Sequence, residues 1–255
     1  KTERGEFASR GRQTRPVRFF LGRVVRIYPI YYMSLLIGLA VQGVVAVWGV
    51  VAHGRAFVLL PDLTIGDLVL MLTGFYAFAG QWGGPLVWSS WFIGLIMVLY
   101  LVFPVLSAAI RRAPWTSLAG LLILSAASRM LTGGTGTLPG DPLEWFPVNR
   151  MFEFGVGIFL VRVLGRERLL RWNQLLSRIP SLTYFSALSF PLFLVHDPLR
   201  RLIYLGPLEA WYSLPAGIPV FIGLSLVLSA LVLVINEKLS MFLAAKIQFR
   251  AYSPL

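Results

Sequence analysis

Two arginines, Arg23 and Arg26, stand three residues apart in LGRVVRIYPIYY, a spacing that puts both on one face of a helix. Guanidiniums so placed can hold the phosphates of a nucleotide-like donor, because the planar fork of Arg matches phosphate oxygens. Arginines at the mouth of an apolar helix can equally be topology determinants. A second pair, Arg150 and Glu153 in NRMFEFGVGIFL, has the same spacing. It can orient a polar substrate, with Glu153 as a base if burial favours its protonated form. It can also be a structural ion pair between helices, and Gly155 and Gly157 beside it would permit close helix approach.

The third group closes the run LTYFSALSFPLFLVHDPLRR, where an apolar stretch ends in His196, Asp197, Arg200 and Arg201. An ionisable cluster at membrane depth is costly and marks a candidate functional site. His196 can carry a proton near neutral pH. Adjacent residues do not share a helix face, so Asp197 is not expected to serve His196 directly. Pro191 and Pro198 lack the amide proton a helix needs and free backbone carbonyls around the histidine. His53, in a loop, is a poorer candidate. There is no metal-ligand spacing, no phosphate-cradling glycine loop and no GxSxG elbow. The absence of cysteine rules out thiolate chemistry and disulfides.

The elements that must position these residues are apolar. Of 255 residues, 57% are hydrophobic and only 13% charged, and the mean hydropathy is +0.74; a soluble surface of this size needs far more charge. The reading is an all-α, polytopic transmembrane bundle forming a single integral membrane domain over 1–255. Spans long enough for a bilayer fall at 27–52, 88–110, 115–131, 145–161, 182–199 and 215–235, six full crossings. A shorter apolar piece at 65–80, interrupted by Gly66, Asp67 and Gly74, is expected to be partial or re-entrant.

The net charge of +12 would suggest nucleic acid in a soluble protein, but no aromatic-interleaved basic stripe accompanies it, and nucleic acid is not an expected partner. Eight of the 23 Lys and Arg residues lie in 1–26, five in 162–178, and Arg111, Arg112, Lys238, Lys246 and Arg250 follow spans. With 65–80 partial, every basic loop falls on one side and both ends are cytoplasmic. The segment 1–26 is then a basic cytoplasmic stretch. The segment 162–181 is a basic loop or a helix lying on the anionic membrane surface. The Gly- and Pro-dense GGTGTLPGDP at 133–142 reads as an irregular non-cytoplasmic loop.

Taken in order, these motifs resemble the membrane acyltransferases of the acyltransferase 3 type. GRVVRIYPIYY is similar to that family's paired arginines and Ile-x-Pro-x-Tyr helix start. WFIGLIMVLYLVFPVL resembles its Trp-led span, with Trp91, Tyr100 and Pro104 in matching places. RMFEFGVGIFL is similar to its Phe-x-x-Gly helix. SALSFPLFLVHDPL resembles its Ser-rich segment ending His-x-Pro, with Ser189, Leu194, His196 and Pro198 matching, and NEKLSMF resembles its C-terminal Glu motif.

The resemblance implies transfer of an acyl group, commonly acetyl, from cytoplasmic acyl-coenzyme A to a carbohydrate hydroxyl, inside a helical bundle of a bacterial inner membrane. Acyl-coenzyme A would be a co-substrate, with no bound cofactor and no metal. Arg23 and Arg26 would bind the donor, His196 and Glu153 would be catalytic, and Arg150, Trp91 and Asp197 would contact substrate. The family pattern also implies a His-bearing helix ahead of the arginine pair, and a carboxylate five residues after Trp91, where this chain has Ile96. The chain is thus expected to be part of a longer protein, a divergent member, or a catalytically silent scaffold that packs against other membrane subunits.

Overall fold

The computed structural model describes residues 16–55, 59, 63–79, 84–133, 145–208 and 217–251, and no strand occurs among them. The long helices are α1 (Pro16–His53), α3 (Trp91–Arg112), α4 (Pro114–Gly133), α5 (Met151–Ser177), α6 (Pro180–Tyr204) and α7 (Gly217–Ala251), with a nine-residue α2 (Ile65–Thr73) between α1 and α3. Several outward residues stay exposed although apolar, among them Leu36, Leu101 and Ile123, each about two-thirds exposed. Helices apolar all round suit a lipid solvent rather than water.

Helices occupy all six positions expected to cross, but fewer qualify as spans. Three are long and apolar enough, over Phe19–His53, Trp88–Arg112 and Gly217–Leu239, and a fourth does so if Leu170–Ser177 and Pro180–Tyr204 count as one broken span. The expectation of six full crossings is corrected accordingly. The reason lies in composition and continuity. Helix α4 carries Thr116, Ser117, Ser125, Ser128 and Arg129. The expected span at 145–161 begins with a 3-10 turn, Pro147–Arg150, and α5 is broken at Gly165, whose φ of 71° and ψ of 152° are non-helical. The unbroken part, 151–164, rises only ~20 Å at 1.5 Å per residue, short of the ~30 Å hydrocarbon core.

Helix α2 cannot cross at all, since nine residues rise ~14 Å. It opens on a capping box, in which Thr64 Oγ1 accepts the Asp67 N–H (3.2 Å) and Asp67 accepts the Thr64 N–H (3.0 Å); Gly74, with φ of 79°, closes it, a left-handed conformation that glycine adopts without Cβ strain. Its end is tied to α1 by Tyr28 Oη donating to the Thr73 carbonyl (2.7 Å) and Tyr31 Oη donating to that of Met71. The loop 133–142 lies largely outside the described residues.

The core forms where α1, α3, α6 and α7 meet, around Ile27, Tyr31, Ile93, Met97, Leu194 and Val232. Gly38 lets α1 approach the 84–87 segment, because a Cβ there would sit 2.6 Å from the Leu86 carbonyl oxygen. Two polar links set the helix directions. Asp197, near the end of α6, accepts the N–H of Trp88, just before α3. Arg162, three residues before the break in α5 at Gly165, donates to the Ile110 carbonyl at the end of α3 (2.6 Å). These links run α3 antiparallel to α6 and parallel to the first part of α5, so Arg23, Arg111, Arg162 and Lys238 all gather toward one end of the bundle, its basic end.

Candidate functional site

Arg23 and Arg26 of α1 line one cavity of about 610 Å³, a size suited to a small-molecule ligand. The other walls come from Tyr100 of α3, Ser186 and Ser189 of α6, and Asn236 and Glu237 of α7. Apart from Tyr100, in the middle of α3, each polar group sits where an apolar run begins or ends, which is why helices of different direction deliver them to the same level. Pro191 also lines this cavity and, lacking an N–H, leaves the Ala187 carbonyl without its helical donor. Asn236 is buried, and its Oδ1 has no hydrogen-bond partner. A buried, unpaired amide oxygen is an acceptor held ready for a ligand N–H.

Arg23 is braced by aromatic rings. Its guanidinium carbon lies 5.1 Å from the ring centroids of both Phe19 and Tyr100, two rings set edge to face at 6.0 Å, and this double cation–π contact braces the fork. The same residue faces a second cavity of about 520 Å³ between α1, α3 and α5, which it shares with Arg111, Arg162 and Glu153.

His196 lies elsewhere. It lines a third cavity of about 440 Å³ with Phe193, Phe221 and Ser225. Ser189 borders both this cavity and that of Arg23 and Arg26. The His196 Nδ1 is 3.1 Å from the Leu192 carbonyl oxygen. A carbonyl only accepts, so in the neutral ring Nδ1 carries the proton and Nε2 is left as a proton acceptor. Its ring packs 6.0 Å from that of Phe193, which in turn meets Trp91 and Phe92 edge to face.

The remaining expected site residues are occupied in other ways. Glu153 pairs with Arg129 of α4, and Arg150 stands 3.9 Å from the same oxygen, Oε1. Arg129 also donates to the Asn149 carbonyl through Nε (3.1 Å) and through a terminal nitrogen (2.6 Å). The carboxylate thus ties α4 to α5. Arg150 and Trp91 line none of the three cavities. Asp197 does not line them either, and it is only 3% exposed. Its carboxylate takes the Trp88 N–H on one oxygen and Arg200 at 3.4 Å on the other, while Arg201 donates to the Pro85 carbonyl. Gly155 does allow close packing, since a Cβ there would lie 2.5 Å from a Leu121 methyl, but Gly157 faces open space.

Sequence reasoning brought Arg23 and Arg26 together and missed Ser186, Asn236 and Glu237 as their companions. The available signal was position, a polar pair at the end of an apolar run and serines at the start of another. What it lacked was the register between α6 and α7.

Comparison with known proteins bears on this arrangement. A family model described as an acyltransferase domain, that of the acyltransferase 3 family, matches residues 7–182. No curated protein and no solved structure matches the chain. The matched region includes Arg23, Arg26, Trp91, Tyr100 and Glu153, and ends within α6, ahead of His196. A match over more than half of the chain establishes membership: the chain belongs to the acyltransferase 3 family and is a membrane protein of acyltransferase type.

Proposed function

We propose that this family member is an O-acyltransferase of a bacterial inner membrane that moves an acyl group, acetyl in the simplest case, from acyl-coenzyme A to a carbohydrate hydroxyl. The observation that carries the reading is the convergence of Arg23 and Arg26 with an unpaired amide oxygen in one cavity at the basic end. Coenzyme A presents phosphates and a pantetheine arm with amide N–H groups. The two guanidiniums suit the phosphates, and Asn236 Oδ1 suits a pantetheine N–H.

The acceptor hydroxyl oxygen attacks the thioester carbonyl, a C–O bond forms, the C–S bond breaks, and the proton leaving the hydroxyl ends on the coenzyme A thiol. His196 is the base this reading favours over Glu153. His196 lines an open cavity and its Nε2 is left as a proton acceptor, whereas Glu153 Oε1 already serves two arginines. Ser225, whose Oγ is buried without a partner, can help hold the sugar. General-base assistance is worth roughly 100- to 10,000-fold in rate.

A second reading, a catalytically silent scaffold subunit, is favoured by one observation: His196 and the arginine pair line different cavities. Release of free coenzyme A from acetyl-coenzyme A, measured across a panel of sugar acceptors, separates the two. The enzyme reading expects acceptor-dependent release that His196→Ala reduces at least 100-fold, in line with the general-base range. Release at background rate by wild-type and variant alike supports the scaffold.

A further inference from the structure

The cavity between α1, α3 and α5 has a chemistry of its own. One end carries Arg111 and Arg162, and among the described residues neither has a carboxylate within ion-pair distance. Glu153 lines the same cavity, but its charge is already taken by Arg129 and Arg150. Of the five donors of Arg162, one nitrogen is used on the Ile110 carbonyl, which leaves others for a ligand. Two unneutralised guanidiniums around one opening create a site for an anion with several acceptor oxygens.

The rest of the wall is apolar, formed by Phe103, Phe154, Ile158 and Val161. From Arg162 to Glu153 helix α5 rises ~14 Å, about the depth of one leaflet of a ~30 Å hydrocarbon core. Arg111 and Arg112 end α3 immediately before α4 begins, which places the arginines at headgroup level. A free phosphate would leave the apolar aisle empty, and an uncharged lipid would leave the arginines unpaired. We propose that this cavity binds one anionic phospholipid, its phosphate between Arg111 and Arg162 and an acyl chain along Phe103 and Phe154. This site depends only on the membrane placement of the chain and not on acyl transfer.

The test is native mass spectrometry of the full chain in detergent, titrated separately with phosphatidylglycerol, with phosphatidylcholine of the same chains, with inorganic phosphate and with acetyl-coenzyme A. The expected result is retention of one phosphatidylglycerol at a concentration about ten-fold below that needed for phosphatidylcholine, the range of a charge-assisted contact. Neither inorganic phosphate nor acetyl-coenzyme A should displace it. Arg111→Gln combined with Arg162→Gln should abolish the preference. Because Arg162 also braces α3, Gly157→Leu provides an independent variant: a Cβ there meets nothing within 4 Å, so the side chain enters the cavity and should weaken both lipids while leaving the cations in place. Equal affinity for the two lipids, or a preference that survives both variants, overturns the proposal. Displacement by inorganic phosphate would make this a simple anion site, and displacement by acetyl-coenzyme A would make it part of the donor site; either result overturns it as well.

Discussion

Asp197 holds the backbone N–H of Trp88 from 109 residues away, joining the far end of α6 to the turn that starts α3. With Arg201 on the Pro85 carbonyl, this link fastens the end of the bundle opposite to the arginine cavity. A carboxylate so buried and so fully bonded acts as a fastener between segments, and the cost of removing it follows from the donor and the cation it would strand.

Asp197→Ala should therefore destabilise the protein by about 3 kcal/mol, the lower end of the range for breaking a buried charge pair. Thermal unfolding in detergent checks this. Donor affinity per folded molecule should stay within about two-fold, since a distant, independent site contributes little coupling. Native stability combined with lost acceptor turnover would return Asp197 to a substrate-contacting role.

The pair Arg129 and Glu153 makes a different prediction. Both side chains are nearly half exposed, so the ion pair alone is worth at most about 1 kcal/mol. Arg129 also satisfies the Asn149 carbonyl twice, so Arg129→Gln should cost more stability than Glu153→Gln. A double-mutant cycle should show coupling of about 0.5 kcal/mol or more. Additive effects would mean that the two residues do not act on each other.

The positions of the long helices were legible in the sequence because uninterrupted apolar runs need no tertiary information. Their crossing ability was less so. Gly165 breaks α5 through a backbone conformation that composition does not encode, and Leu170–Ser177 then meets α6 at an angle of 105°. Arg23 and Arg26 were legible as a pair because helical spacing is local. The fate of Asp197 was not, because its partner is a backbone amide in a distant turn, and no pattern in the side chains announces that contact. Asn236 and Glu237 fell between these cases, visible as polar residues but assignable to a site only once α7 is placed beside α1.

Topology can be tested cleanly, since the chain contains no cysteine. Gly136→Cys should react with an impermeant thiol reagent in intact cells. Gln174→Cys, in the exposed basic helix after Gly165, should react only after permeabilisation. Equal labelling of both from outside would contradict the placement of all basic loops on the cytoplasmic side.

The α2 cap has a defined pH dependence. Hydrogen bonds from the Thr64 side chain and backbone hold the Asp67 carboxyl below the usual carboxylate range, so its contribution is present above the ordinary Asp value and is lost as pH falls through the lowered one. Hydrogen exchange of the α2 amides should therefore be flat from pH 7 down to the ordinary Asp range once corrected for intrinsic rates. Protection should fall only below that range. Asp67→Asn should remove this dependence.

The central claim is that Arg23 and Arg26 hold the donor phosphates, and equilibrium binding of acetyl-coenzyme A to purified, correctly inserted protein tests it most directly. Arg26→Ala should weaken binding about ten-fold or more, as expected for a charge-assisted contact worth ~1.5–3 kcal/mol. Arg23→Lys should also weaken it, because an ammonium lacks the planar fork that the Phe19 and Tyr100 rings hold in place. Unchanged affinity in both variants, with normal abundance and stability, would contradict the account and leave the two arginines as topology determinants.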